Sequence, residues 1–392
     1  MTSVVDTSVK HFSSDMAGAP ILNGVAGSLI SMLNACLITG FDTKAATSLV
    51  VSGGIATLSF TGAHSATVGT VVLVAGSSIA ALNGEQKITV IESGFVRFAT
   101  AAADGVASGT ISFKMAPAGW LQPFVGTNLA TYKSADPAGT GMILRVNDTG
   151  TYQGRVVGYE QMTDVNTGTG PFPTPAMSSG GGYWAKSWEG DATAVPWSLF
   201  SDGRLFYIGI AANYSSSTRF TGQIVRGFGD MLARRPGGDP YSCVLNHHAN
   251  GAVIPAVAAM QGSFSSGSYS GCAFPRNFTG LGSAVSAGCY PNSGGLNEGS
   301  GCDGRFGDFP PPFGELMLSN KTIANSSIEA PRADVPGLYH LPQGKVFDTF
   351  KTGNTIKWAG RTVMLVNVTE IVGAASSVTV GALAFDITGP WR

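Results

Sequence analysis

The chain has 392 residues, of which 54 are glycine and only 12% are charged, with a formal net charge of −1. Such a surface exerts no long-range attraction on nucleic acid or an anionic membrane, and so few ionic groups give little protection against self-association. A hydrophobic share of 44% is ordinary for globular proteins and excludes a disordered chain.

The first element expected is a helix. Asn23 stands as its cap, Val25, Leu29, Leu33, Cys36 and Leu37 recur at helical spacing, and Gly40 is the stop. Residues 1–22 before it lack strong periodicity but carry Val4, Val5, Val9 and Phe12, as expected of an arm that docks on a partner. From Thr47 to Lys114 short strands alternate with turns: Ser48–Val51, Ile55–Phe60, Val71–Val74, Lys87–Ile91, Phe95–Phe98 and Thr110–Lys114. Gly53-Gly54, Asn83-Gly84 and Ser93-Gly94 supply turn chemistry between them. Roughly six strands over this length predict a small barrel or sandwich.

Met142–Val146 and Arg155–Glu160 read as a hairpin around Asn147–Gly150, followed by a broken run, Thr167–Pro175. Strands resume at Trp197–Phe200, at Arg204–Ile210 after an Asp202-Gly203 turn, and at Gln223–Phe228. Between Gly262 and Gly304 glycine and serine are interleaved with Phe264, Tyr269, Phe274, Phe278 and Tyr290, which predicts ordered loops laid on another surface. Thr362–Asn367 and Ala382–Ile387 close the chain as strands. The expected fold is therefore mainly β: short-strand sandwich or barrel modules, one N-terminal helix and long glycine-rich loops. Its expected divisions are an arm and helix (1–44), a small β-module (45–117) and a larger β-rich domain with glycine-rich loops (118–392), which the N-terminal segment could complete.

Chemistry-bearing residues are few. Cys243, His247 and His248 could present three metal ligands, with Cys272 or Cys289 as a fourth, but the spacing matches no known zinc pattern. The competing expectation is a strand ending at Leu245 with surface histidines after it. Five cysteines without a C-x-x-C pair are expected to be free buried thiols. Asp303 and Asp308 around Arg305 could flank a sugar bond as acid and nucleophile, although an Asp-Gly turn explains them as well. Tyr183, Trp184, Trp188 and Trp197 form the densest aromatic patch, fit either for stacking on a glycan or for anchoring a core. Arg234-Arg235 is too small a basic patch for nucleic acid. No nucleophile elbow, phosphate loop or dinucleotide fingerprint is present, so no catalytic residue, cofactor or metal is expected. The most apolar stretch, Val25–Thr39, is too short and too interrupted to span a membrane, and Met1–Lys10 has no secretory character, so assembly in a cytosol is expected.

Val5–Phe12, Gly18-Ala-Pro20 and the helix to Cys36 resemble the start of virion proteins encoded by tailed phages and prophages. Leu144–Gly150, Arg155–Glu160 and Thr167–Pro173 resemble their middle. Thr279–Gly282, Pro336–Tyr339 and the closing Asp386–Arg392 resemble later parts of the same proteins. Within the chain, His64–Phe98 is similar to a small β-module of phage tail and fibre proteins, while Cys289–Phe313 departs from the pattern. The resemblance implies a structural subunit of a tailed-phage particle, in the tail at its tip or baseplate, with no catalytic residues to carry over. The expected partners are other virion proteins and further copies of the chain. Capsid decoration, glycan recognition at the host surface and cell-wall hydrolysis are the rival expectations.

Overall fold

The structure, a computed structural model, describes residues 3–215, 221–248, 270–291, 307–310, 314–325, 330–372 and 377–392. It is mostly β. The N-terminal helix is present but shorter than its periodicity suggests: Ser28–Asn34 is α-helical, and Ala35–Thr39 continue as a wider π turn up to Gly40. Leu29, Met32, Leu33, Cys36 and Leu37 are buried, whereas Val25 is 51% exposed and lies outside the helix. Asn23 does not cap it. The Asn23 carboxamide oxygen accepts from Val25 N at 2.9 Å, a local turn. The free amides at the helix start are instead satisfied by Asp148, whose Oδ2 accepts from Leu29 N at 2.8 Å and from Ile30 N at 3.3 Å.

The β-module is a closed six-stranded antiparallel barrel. Phe41–Ser52 pairs with Ile55–Phe60, which pairs with Phe95–Ala99, then Gly84–Glu92, Val71–Ala75 and Ser112–Met115, and the last pairs back with Phe41–Ala45. Three consecutive strands with the next one returned beside the first make a Greek key. The first hairpin turns at Gly53-Gly54, both at positive φ (58° and 76°), as a two-residue turn matched to strand twist requires. Leu49, Val51, Ala56, Leu58, Val72, Val74, Val96, Phe98 and Phe113 fill the interior, so the barrel is packed rather than a channel.

Apart from a separate two-stranded pairing of Gln161–Met162 with Gly168–Thr169, the remaining strands join one antiparallel sheet. Lys10–Ser13 pairs with Trp197–Ser201, followed by Leu205–Ile210, Ile224–Asp230, Cys243–His248, Ser270–Phe274, Val285–Tyr290, Ser319–Asn325 and Ala330–His340. Ala330–His340 then meets Ser377–Asp386, which pairs with Arg361–Val372 and through it Thr355–Trp358. Leu205–Ile210 shows how the sheet is stabilised: Phe206 and Ile208 enter one apolar core, Leu205 and Tyr207 the core on the opposite face. A sheet buried on both faces reads as a continuous apolar run rather than an alternating one.

Two expectations fail here. Residues 10–13 are a strand of the chain's own sheet, with Val9 and Phe12 buried, so this part of the N-terminal segment docks on the larger β-rich region, the alternative to an arm docked on a partner. The glycine-rich stretch 262–304 is not simply loop: Ser270–Phe274 and Val285–Tyr290 are paired strands, and its other residues lie largely outside those described. A second short helix, Val346–Thr349, was not anticipated.

Candidate functional site

The aromatic patch does not form an exposed platform. Trp184 is fully buried, its indole N–H donates to Asn246 O at 2.8 Å, and its ring meets Phe206 edge-on. Trp197 is likewise buried and donates to Pro20 O at 3.1 Å. Trp188 and Tyr183 are half-buried, and the Arg155 guanidinium covers the Tyr183 ring at 3.8 Å. These rings are core and wall, not a surface for stacking sugars.

The metal candidates do not converge either. The strand carrying Cys243, His247 and His248 runs through to His248 instead of stopping at Leu245, and both histidines are buried. Alternation puts Cys243 and His247 on one face and His248 on the other. Cys243 and His247 are four residues apart, about 13 Å along a strand. Cys272 pairs opposite Asn246 and so faces away from both. Among the described residues no three His, Cys, Asp or Glu side chains gather as a metal site. Cys36, Cys243, Cys272 and Cys289 are buried thiols outside any disulfide; burial pushes them up, Cys272 to about 12. Such thiols are poor nucleophiles.

Asp303, Arg305 and Cys302 lie outside the described residues. Asp308 is exposed and bonded to Lys345 at 2.7 Å, a surface ion pair. Arg234 makes a bidentate contact with Asp334, and Arg235 donates to Phe278 O, so neither offers a free basic patch.

A cleft of about 890 Å³ opens elsewhere in the chain, and none of these candidates touches it except Trp197. Four parts of the chain wall it, the central sheet contributing Pro196 to Ser198 and Gln223. The N-terminal strand and turn give His11 to Ala17, the barrel loop gives His64 to Val68, and the C-terminal module gives Phe347, Phe350 and Asn367. His11 is 3% exposed, and its ring stacks loosely on Phe200, its register partner. Neither His11 ring nitrogen has a hydrogen-bond partner, nor does His64 Nε2 or Asn367 Oδ1, although each atom is shielded from solvent. His64 Nδ1 accepts from Ala66 N at 2.8 Å, which places its proton on Nε2, 3.7 Å from Asp42 Oδ2 and beyond hydrogen-bond reach. Burial, reinforced by the nearby Lys87 ammonium, lowers the His11 imidazole to about 4, so it is neutral at physiological pH.

His11 carried no signal in the sequence, because a lone histidine before a phenylalanine is ordinary. Only the pairing of its strand with Trp197–Ser201 and the packing of the C-terminal module create the cleft around it. No protein-family model matches the chain, and the comparison with curated proteins finds no match either.

Proposed function

We propose that the chain is a structural component of a tailed-phage particle, placed at the tail tip or baseplate and acting through contacts with other virion proteins and with further copies of itself. The observation that carries this reading is the resemblance to such virion proteins spread from Val5 to Arg392. Three of the resembling stretches also pack together. Tyr207 donates to Pro336 O at 2.7 Å, the Trp391 ring lies against Gly337, and Gly389 sits against Asp6 and Val9. Residues that carry the likeness thus form one buried junction between the two ends of the chain.

The sparse charge is consistent with a surface covered by neighbours, as are exposed apolar residues such as Val106 (73%) and Leu281 (72%). In this role the chain acts by shape and burial, and no group in it is assigned a catalytic task. The test is mass spectrometry of purified particles from a phage or induced prophage encoding the chain, followed by locating its density in the intact particle. The reading predicts a stoichiometric virion protein in the tail. Absence from mature particles refutes it.

A further inference from the structure

We propose that the pocket between the turns at residues 235–238 and 277–280 binds an oxyanion carried on an apolar group, either a carboxylate or a phosphate. This goes beyond the assembly role and does not depend on it. The short strand Leu232–Ala233 pairs with Ala333 and Asp334, and Arg234 N donates to Arg332 O at 3.0 Å. The chain then turns, with Gly238 N donating to Arg235 O at 3.0 Å. Gly237 and Gly238 lie at φ 83° and 87°, a conformation that residues with a Cβ rarely adopt. A second turn, in which Gly280 N donates to Asn277 O at 2.8 Å, presents Phe278 and Thr279 to the same pocket. Together with Ala330–Arg332 the two turns enclose about 560 Å³, within the about 300–1,000 Å³ usual for ligand pockets.

The charge of the wall selects the ligand. Arg234, Arg235 and Arg332 line the pocket with a single carboxylate, Asp239. Both Asp239 oxygens are engaged within the fold, Oδ2 by Arg332 Nε at 2.8 Å and Oδ1 by Tyr241 N at 2.9 Å. Arg234 gives Nε and Nη2 to Asp334 and Thr322, which leaves its Nη1 without a partner among the described residues. Arg235 has no carboxylate partner there at all; it donates from Nη1 to Phe278 O at 3.2 Å and makes no other hydrogen bond. Anchoring thus fixes these two guanidiniums without saturating them. Both side chains are exposed, so their remaining N–H groups are open to solvent. Guanidinium is a donor only, and it pairs with a carboxylate or phosphate through two N–H groups at once. A neutral ligand leaves the Arg235 charge unmatched, and a cation is repelled by it. Phe278, 45% exposed, gives the body of the ligand an apolar wall with Ala330 and Pro331.

The test uses the purified full-length chain with 3-phenylpropionate and phenyl phosphate as anionic probes, and 3-phenylpropionamide and phenethylamine as neutral and cationic controls. Saturation-transfer NMR detects contact, and titration calorimetry gives the affinity. The expected result is binding of at least one anion and of neither control, and the tighter of the two anions tells carboxylate from phosphate. Raising NaCl from about 50 mM to about 500 mM weakens that binding, as screening of an exposed charge requires. Arg235→Gln weakens it at least about tenfold, and Phe278→Ala weakens it as well. Arg235 holds no carboxylate of the fold, so Arg235→Gln keeps the parent's far-UV spectrum and melting temperature, and its loss of binding is not a loss of folding. The inference is overturned if neither anion binds at about 10 mM, a concentration that reveals even millimolar affinity. It is equally overturned if either control binds as tightly as the anions, or if binding is unchanged in Arg235→Gln or in Phe278→Ala.

Discussion

Replacing Asp148 by alanine should destabilise the chain more than almost any other single change to a polar residue. The carboxylate is fully buried and does two jobs. Its Oδ2 caps the N-terminal helix through Leu29 N and Ile30 N, and its Oδ1 accepts from Lys186 Nζ at 2.6 Å. Lys186, also fully buried, donates besides to Val25 O at 3.1 Å and Gly150 O at 2.7 Å, so all three ammonium protons are used. Burial pushes the Asp148 carboxyl up, while Lys186 and the two helix amides oppose that shift. Asp148→Ala leaves an uncompensated buried ammonium, which costs about 3–5 kcal/mol, and removes a helix cap worth about 1 kcal/mol. The sum, about 4–6 kcal/mol, corresponds to a fall in Tm of about 6 °C for a chain of this length. Scanning calorimetry of Asp148→Ala, and of Asp148→Asn, Lys186→Met and Asp148→Asn/Lys186→Met as a closed cycle, would check it. The double variant keeps an acceptor for the helix and strands no charge, so it should recover at least about 2 kcal/mol relative to additivity. A Tm within about 1 °C of the parent for Asp148→Ala, or strict additivity in the cycle, would refute the reasoning.

His11 and His247 are lowered to about 4 and His340 to about 3, in each case chiefly by burial. Because the folded values lie below the ordinary one, the stability of the neutral forms is complete above about pH 6.5 and is lost as pH falls toward 4. At pH 5 each costs about 2 kcal/mol, so Tm should drop steeply between pH 7 and pH 5; a flat profile there contradicts the assignment. Deleting residues 1–13 removes the strand paired with Trp197–Ser201 and the buried Val9 and Phe12, and should yield insoluble or unfolded protein rather than a folded core. A soluble truncation with the parent's circular dichroism would overturn that placement. Gly337→Ala puts a side chain at φ 67° and into the Trp391 ring, so it should cost more than the about 1 kcal/mol of backbone strain alone, measured by denaturant unfolding.

The barrel was legible in the sequence because its signals are local. Ile55–Phe60 begins where expected, directly after a glycine pair that only a tight hairpin turn needs. The hairpin around Asn147–Gly150 was readable for the same reason. The helix cap was not, since Asp148 lies 119 residues from Leu29 and no local pattern announces it. His247 and His248 read as surface residues because histidine is polar, and a sheet covered on both faces is invisible to a window of a few residues. Residues 10–13 read as part of a loose arm because a four-residue strand has no measurable period. The site suffered most. Its walls come from residues near 11, 64, 197, 223 and 350, and nothing in any one of these segments marks it as part of a pocket.

Satisfied and unsatisfied buried polar groups stand in sharp contrast in this fold. Elsewhere the fold takes trouble over buried cations. Lys87 donates to Ile387 O and Thr388 O at 3.0 and 2.7 Å, and Arg332 reaches Asp239, Arg276 O and Tyr241 O. A sequence able to place three acceptors around Lys186 has the means to place one beside His11, or to put phenylalanine there. Instead His11 stands unbonded on the cleft wall, with Lys87 close enough to disfavour its protonated form. Lys87 is itself anchored by the C-terminal segment Ile387-Thr388, so the end of the chain holds the charge that adds to burial in keeping His11 neutral. A neutral His11 retains both a donor and an acceptor, and neither finds a partner among the described residues.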